Sequence, residues 1–246
     1  MPAPSLLRTG PNRAAAAASR WPSLCAVCED WGAGRVCADC RDRFAPVVPR
    51  CRRCALQVPV GVSTCGSCLA APPPFDAAFA RVDYAYPWDR LIPAFKFRDA
   101  LELAPVFAEA IVEACAGRER GATPPLVVAV PLSDARLRQR GYNQAWQLAR
   151  RVAPKLGGRA ERSLLLRIRD TPHQIALPPG ERAGNVRGAF AVEPRRLGDV
   201  RARTVALVDD VMTTGSTAAE IARVLKQAGA ARVEVWVVAR TPRPGG

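Results

Sequence analysis

Four C-x-x-C pairs place the tightest constraint on this chain: Cys25/Cys28, Cys37/Cys40, Cys51/Cys54 and Cys65/Cys68. They fall within 44 residues, with eight, ten and ten residues between successive pairs. A C-x-x-C turn brings two sulfurs to one side of a tight knuckle. Two facing knuckles supply the tetrahedral thiolate shell that Zn²⁺ prefers. One such pair also serves redox chemistry. Four at this spacing point to two closed structural sites with no position left for a catalytic water. Sequential pairing is simplest, with Cys25, Cys28, Cys37 and Cys40 on one ion and Cys51, Cys54, Cys65 and Cys68 on the other; crossed pairing stays open. A disulfide framework or redox relay is the competing reading. Metal binding would supply the folding free energy that a segment with few large apolar side chains lacks. Cys115, the ninth cysteine, lies in an apolar helical pattern and reads as core. His173 is the only histidine, so a Cys₂His₂ finger is ruled out.

The 246 residues have room for one substantial α/β domain beside this small module. A hydrophobic content of 49% is enough to bury a core. No apolar run is long enough for a membrane helix, and the N-terminal run is too weak for a signal peptide. The expectation is therefore a protein of the reducing cytoplasm, without membrane insertion, where cysteines rarely form structural disulfides. Residues 1–20 read as a flexible lead-in and 21–72 as a double zinc ribbon. Ala71-Pro-Pro-Pro74 marks a boundary, since consecutive prolines continue neither a helix nor a central strand. Residues 75–246 then form the larger domain. The formal charge of +14 favours polyanions such as pyrophosphate or nucleic acid. It is scattered, however, and nearly all arginine, as GC-rich coding also produces.

Beyond the prolines, strand and helix patterns alternate. Strands are expected over Phe79–Tyr86, Leu126–Val130, Leu164–Ile168, Val205–Val208 and Val233–Ala239, and helices over Leu101–Cys115, Asn143–Leu156 and Thr217–Gln227. Apolar strands alternating with helices imply a mostly parallel sheet flanked by helices. Ligands of such sheets bind beyond the carboxyl ends of the strands.

The most informative stretch is Val205-Ala-Leu-Val-Asp-Asp-Val-Met-Thr-Thr-Gly-Ser-Thr-Ala218. A hydrophobic strand runs into two acids, then into a small hydroxyl-rich turn that opens a helix. Asp209 and Asp210 suit vicinal ribose hydroxyls. Thr213, Thr214, Gly215, Ser216 and Thr217 offer backbone N–H groups, hydroxyls and a helix N-terminus, which suit a phosphate dianion. A Walker B strand would need a P-loop, and none is present. A response-regulator acid pocket and plain helix capping are less specific matches. A second segment, Val128–Gln144, leaves a buried strand and delivers Arg136, Arg138 and Arg140, whose guanidinium groups suit a diphosphate. A solvated basic turn is the bland alternative.

The first stretch resembles the phosphoribosyl-pyrophosphate (PRPP) motif of type I phosphoribosyltransferases. With the cysteine module in front, the chain from about Cys25 to Arg240 resembles the ComF family, in which a double zinc ribbon precedes a phosphoribosyltransferase domain. Arg140–Gln144, Asn185–Phe190, Tyr86 and Leu91–Phe97 match further family elements. The resemblance implies a type I phosphoribosyltransferase fold, with Asp209 and Asp210 on the ribose, Thr213–Thr217 on the 5′-phosphate and Arg136, Arg138 and Arg140 in the pyrophosphate loop. It implies Mg²⁺ with PRPP, about two structural zinc ions and an association with uptake of transforming single-stranded DNA. Single-stranded DNA or competence-machinery proteins are thus possible partners. The segment His173–Pro179 departs from the family pattern in the mobile hood that covers PRPP. Purine-salvage relatives carry an aspartate base where this chain has Thr213, which disfavours hypoxanthine or guanine as acceptor. Three readings follow: a phosphoribosyltransferase with an unidentified acceptor, a PRPP-binding protein without turnover that assists DNA handling, and a DNA-binding zinc ribbon whose second domain senses nucleotide.

Overall fold

The computed structural model describes residues 22–119, 125–169 and 186–243. The expected lead-in and the atypical His173–Pro179 segment lie outside the described residues. The first part of the chain holds little regular structure. Strands β1 (Ser23–Leu24) and β2 (Trp31–Gly32) pair antiparallel, and helices α1 (Ala38–Phe44) and α2 (Gly66–Ala70) each open at a cysteine knuckle. The Cys37 sulfur caps α1 by accepting from the Cys40 backbone N–H.

The second part combines strands and helices at each stretch where the apolar pattern predicts one, with further helices and strands that it did not mark. It runs through β3 (Ala77–Asp83), α3 (Trp88–Phe97), α4 (Ala104–Ala114), β4 (Leu126–Ala129), α5 (Asp134–Arg140), α6 (Gln144–Lys155) and β5 (Arg159–Glu161). It continues through β6 (Leu165–Arg167), β7 (Phe190–Val192), β8 (Thr204–Met212), α7 (Ser216–Gln227) and β9 (Arg232–Arg240). Five strands form one parallel sheet in the order β3-β9-β8-β4-β5, while β6 and β7 make a separate antiparallel ribbon. The fully buried β4 and the nearly all-buried β9 are what a sheet covered on both faces requires.

The connections through α4 and α6 carry the chain one way along the sheet, and the connection from β8 through α7 to β9 carries it the other way. Right-handed crossovers therefore put α7 on the opposite face from α4 and α6. The direction reverses between β8 and β4. A crevice opens at such a switch point, beyond the carboxyl ends of the strands.

The cysteine-rich part is docked on this sheet. Cys25, Val36, Cys40, Ala45 and Ala55 belong to the same buried core as Phe95, Phe107 and Trp236. The Ala78 N–H donates to the Arg52 carbonyl (3.1 Å), Arg81 to the Pro46 carbonyl (2.9 Å), and Arg50 pairs with Asp83 (2.7 Å). The buried Trp88 indole N–H donates to the Phe44 carbonyl at 2.8 Å. Among the described residues no helix is long and apolar enough to cross a membrane. Trp88→Phe keeps most of the ring volume but strands that carbonyl. It is expected to lower the unfolding free energy by about 1–3 kcal/mol in urea titration. An unchanged midpoint would show that this bond does not anchor the two parts.

Candidate functional site

Strand β8 runs further than its apolar stretch suggests. Its ladder with β9 continues past both acids to the Met212–Arg240 pair, so Asp209 and Asp210 lie within the sheet. The turn after it is held by its own hydroxyls: Thr214 Oγ1 lies 2.8 Å from Ser216 Oγ and accepts from the Ser216 N–H at 3.3 Å. Gly215 caps α7 at φ 83°, a left-handed conformation that costs glycine least. The result is a helix N-terminus whose hydroxyl-rich turn lies at the edge of a cleft, an arrangement that suits an anion.

That cleft has a volume of about 450 Å³ and is lined by Asp209, Asp210 and the whole Thr213–Thr217 turn. Arg136 and Arg140 line it as well; Arg138 does not. The reason is local. The arginine segment is not a loop but helix α5, capped by Ser133 and closed by Gly141 at φ 76°. Residues four apart share a helix face, and the residue midway between them points elsewhere. Arg140 Nη1 donates to Gln144 Oε1 at 2.6 Å, and its guanidinium lies 4.6 Å from the Phe97 ring centroid. Asn143 caps α6 through the Trp146 N–H (3.1 Å) and donates to the Val130 carbonyl (3.0 Å), while the Tyr142 hydroxyl donates to the Phe95 carbonyl. The Arg140–Gln144 element therefore clamps the basic helix to β4 and α3.

Lys96, at the end of α3, is a site residue that the sequence did not single out by role. Its ammonium lies 2.7 Å from Asp210 Oδ2, a buried oxygen otherwise without a hydrogen-bond partner. Burial works against the Lys96 charge, but Asp210 and Asp209 outweigh it and hold its pKa above the lysine norm. Burial, and then the adjacent Asp210 carboxylate, push Asp209 well above the ordinary carboxylate value against the pull of Lys96. On the other side Glu220 of α7 accepts from the Gly188 N–H at 2.8 Å, which ties the start of β7 to the helix behind the turn.

The cysteines gather sequentially. The sulfurs of Cys25, Cys28, Cys37 and Cys40 lie within 4.8 Å of one another, as do those of Cys51, Cys54, Cys65 and Cys68. Zinc–sulfur bonds of about 2.3 Å give a tetrahedral edge of about 3.8 Å. The Cys28–Cys37 and Cys54–Cys65 sulfur separations are 3.8 and 3.6 Å. Backbone N–H groups of Cys37 and Cys65 donate to the Cys25 and Cys51 sulfurs at 3.4 and 3.3 Å. Despite burial, backbone donors bring Cys25 down to about 6, and the Cys68 backbone N–H with the neighbouring Cys54, Cys68 and Cys51 side chains brings Cys65 to about 7. Both shells thus fit a thiophilic divalent cation. Cys115 is buried, and that burial raises its thiol pKa, as suits a core residue.

These features define a phosphoribosyltransferase-type domain, and the phosphoribosyl transferase domain family matches residues 127–245. DNA utilization protein YhgH of Salmonella typhi is 34% identical over 229 residues, covering 89% of this chain and 98% of its own length. Competence protein F of Haemophilus influenzae is 30% identical over 208 residues, covering 83% and 90%. The chain belongs to the family of these proteins, the ComF family. A solved structure of TT1426 from Thermus thermophilus is 21% identical, covers 61% of this chain and 87% of its own, and aligns with a TM-score of 0.32.

A carboxyl whose pKa is higher in the folded chain than in the unfolded one binds more protons when folded. Its contribution to stability therefore falls as pH rises from the unfolded carboxylate value through the raised folded one. Asp209→Asn is expected to raise the urea midpoint at pH 7.5 and to flatten the decline in stability above about pH 4. A variant less stable than the parent, with the same pH slope, would show that Asp209 is not held against its charge.

Proposed function

We propose that the protein binds Mg²⁺–PRPP in the cleft at the end of β8 and transfers its phosphoribosyl group to an acceptor still to be identified. The observation that carries this reading is the convergence on one cleft of two adjacent carboxylates, a helix-opening hydroxyl turn and two arginines. Asp209 and Asp210 accept hydrogen bonds from the ribose hydroxyls. The Thr213–Thr217 turn donates its N–H groups and hydroxyls to the 5′-phosphate. Arg136 and Arg140 face the pyrophosphate, and Arg138 stands outside the cleft. Mg²⁺, when bound with PRPP, adds neutralising charge to the leaving group. The bond from the anomeric carbon to pyrophosphate breaks as the acceptor bond forms. The chain contributes positioning, charge balance and exclusion of water. Thr213 has no carboxylate to act as a base near neutral pH, so an acceptor of the hypoxanthine or guanine type is disfavoured. The two cysteine shells hold structural zinc, in a reducing compartment that keeps the thiols available.

A second reading is a PRPP-binding protein without turnover that assists DNA handling, as the names of the two relatives suggest. A specific surface favours it. The cysteine module lacks an aromatic and basic stripe of its own, but its junction with the sheet domain assembles one. Phe44 and Tyr86 meet edge-on at 5.4 Å, with Arg43 over the first ring and Arg90 over the second, each at 5.2 Å. Tyr86 is half exposed. Stacking faces flanked by guanidinium groups are what single strands use.

Calorimetric titration with Mg²⁺–PRPP is expected to show binding that Asp209→Asn combined with Asp210→Asn abolishes; undiminished binding by the double variant would contradict the site. Pyrophosphate release across a panel of bases, amines and nucleic acids separates the two readings. Release that depends on an acceptor supports transfer, and PRPP binding with no release from any acceptor supports the second. Elemental analysis of reduced protein is expected to give about two zinc ions per chain, one for each cysteine shell. A value near zero would contradict the metal assignment.

A further inference from the structure

Arg240 closes β9 at the same end of the sheet as the phosphate turn, and it is buried. Its Nη1 donates to the Met212 carbonyl (2.9 Å), to the Thr213 carbonyl and to the Thr241 carbonyl (2.9 Å). Its Nε donates to the carbonyl of Cys54, a ligand candidate of the second cysteine shell, at 2.9 Å. We infer that Arg240 is a positioning residue through which the second cysteine shell holds the phosphate turn in its binding shape.

Two physical points support this. The first is where the carbonyls lie. Met212 and Thr213 form the backbone from which the turn departs, and their carbonyl directions set those of the N–H groups that follow. A single planar guanidinium fixes both and refers them to the Cys51–Cys54 knuckle. That knuckle is closed by the Ala55 N–H on the Cys51 carbonyl (2.8 Å) and by the Cys51 N–H on the Leu56 carbonyl (2.7 Å). The second point is charge. Among the described residues no carboxylate pairs with Arg240. Four thiolates around a divalent cation carry a net charge of about −2. Arg240 at the Cys54 carbonyl and Arg243, whose Nη2 lies 4.0 Å from the Cys65 sulfur and also donates to Ser67, bring two positive charges to that shell. An opened or emptied shell would leave Arg240 without its anchor and its counter-charge. The first shell has no comparable connection among the described residues. Its neighbourhood is tied instead to α4 and the turn before it, through Arg41–Glu109 (4.0 Å) and Arg35–Glu102 (3.5 Å).

The inference rests on PRPP binding at Thr213–Thr217. Coupling between two sites is reciprocal: whatever the shell does for PRPP affinity, PRPP does for retention of the metal. The test uses the full chain loaded with zinc, in excess Mg²⁺, and measures the extent of zinc release to a zinc-selective chelator at equilibrium, with and without PRPP. One of the two zinc ions is expected to be held roughly 5- to 100-fold more tightly with PRPP bound. Arg240→Met is expected to keep both zinc ions, to weaken PRPP binding by a similar factor and to lose the protection. Arg240→Lys, which keeps the charge without the planar fork, is expected to restore little of it. PRPP bound by the parent protein with no effect on release of either ion would overturn the inference while leaving the binding site intact. Equal protection in parent and Arg240→Met would overturn it too. Absence of PRPP binding by the parent protein in calorimetry would instead sink the proposed function, and this inference with it.

Discussion

The parallel ladder between β8 and β9 is the constraint on which the rest of the structure depends. It extends from Thr204–Arg232 to Met212–Arg240, across the two acids that would otherwise end a strand. Because it does not stop at Val208, Asp209 and Asp210 are presented on rigid backbone rather than on a loop. The hydroxyl turn, the N-terminus of α7 and the Arg240 guanidinium are brought to the same edge by the same register. The reversal of chain direction between β8 and β4 then leaves a crevice there. The basic helix α5, which leaves β4, is aimed into it.

The site stores cost that the remainder of the fold offsets. Two adjacent carboxylates are unfavourable together in a partly buried cleft, and among the described residues one lysine, Lys96, answers them directly. Arg140 is pressed onto Phe97 and held by Gln144, so its charge is oriented before any anion arrives. Preorganisation of this kind reduces what binding must spend on ordering side chains. Much of the chain's positive excess does other work. Arg118 and Arg232 satisfy Glu234, a fully buried acid on β9 that also accepts from the Trp236 indole. Arg50 and Arg81 stitch the cysteine-rich part to the sheet. Net charge alone thus says less about polyanion binding than the few cations that face the cleft.

Most of the fold was legible because its strongest signals are local. Apolar runs marked β4, β8 and β9, and period-3.6 spacing marked α4, α6 and α7 to within a few residues. The acids and the turn were readable because strand, carboxylates and helix start are contiguous in the chain. What escaped is what depends on distant partners. Helix α5 buries none of its residues, so it has no apolar period, and its three arginines read as a basic loop. Only when they wind into a helix do Arg136 and Arg140 separate from Arg138. Helix α3 buries Trp88, Leu91, Ile92 and Phe95 at helical spacing, but Pro93 interrupts the pattern. Lys96 matters through Asp210, and Arg240 through Cys54 and Thr213. No spacing rule connects residues so far apart in sequence. The sulfur pairing was open in sequence because knuckle chemistry is the same for either partner; the fold gathers sequential neighbours.

The most direct test of this account is a crystal structure of the full chain with Mg²⁺–PRPP. The account places the 5′-phosphate on the backbone N–H groups of the Thr213–Thr217 turn, the ribose hydroxyls on Asp209 and Asp210, and the pyrophosphate toward Arg136 and Arg140. The Lys96–Asp210 contact then lies against the bound sugar. PRPP seated elsewhere on the protein, with the turn empty, would contradict it.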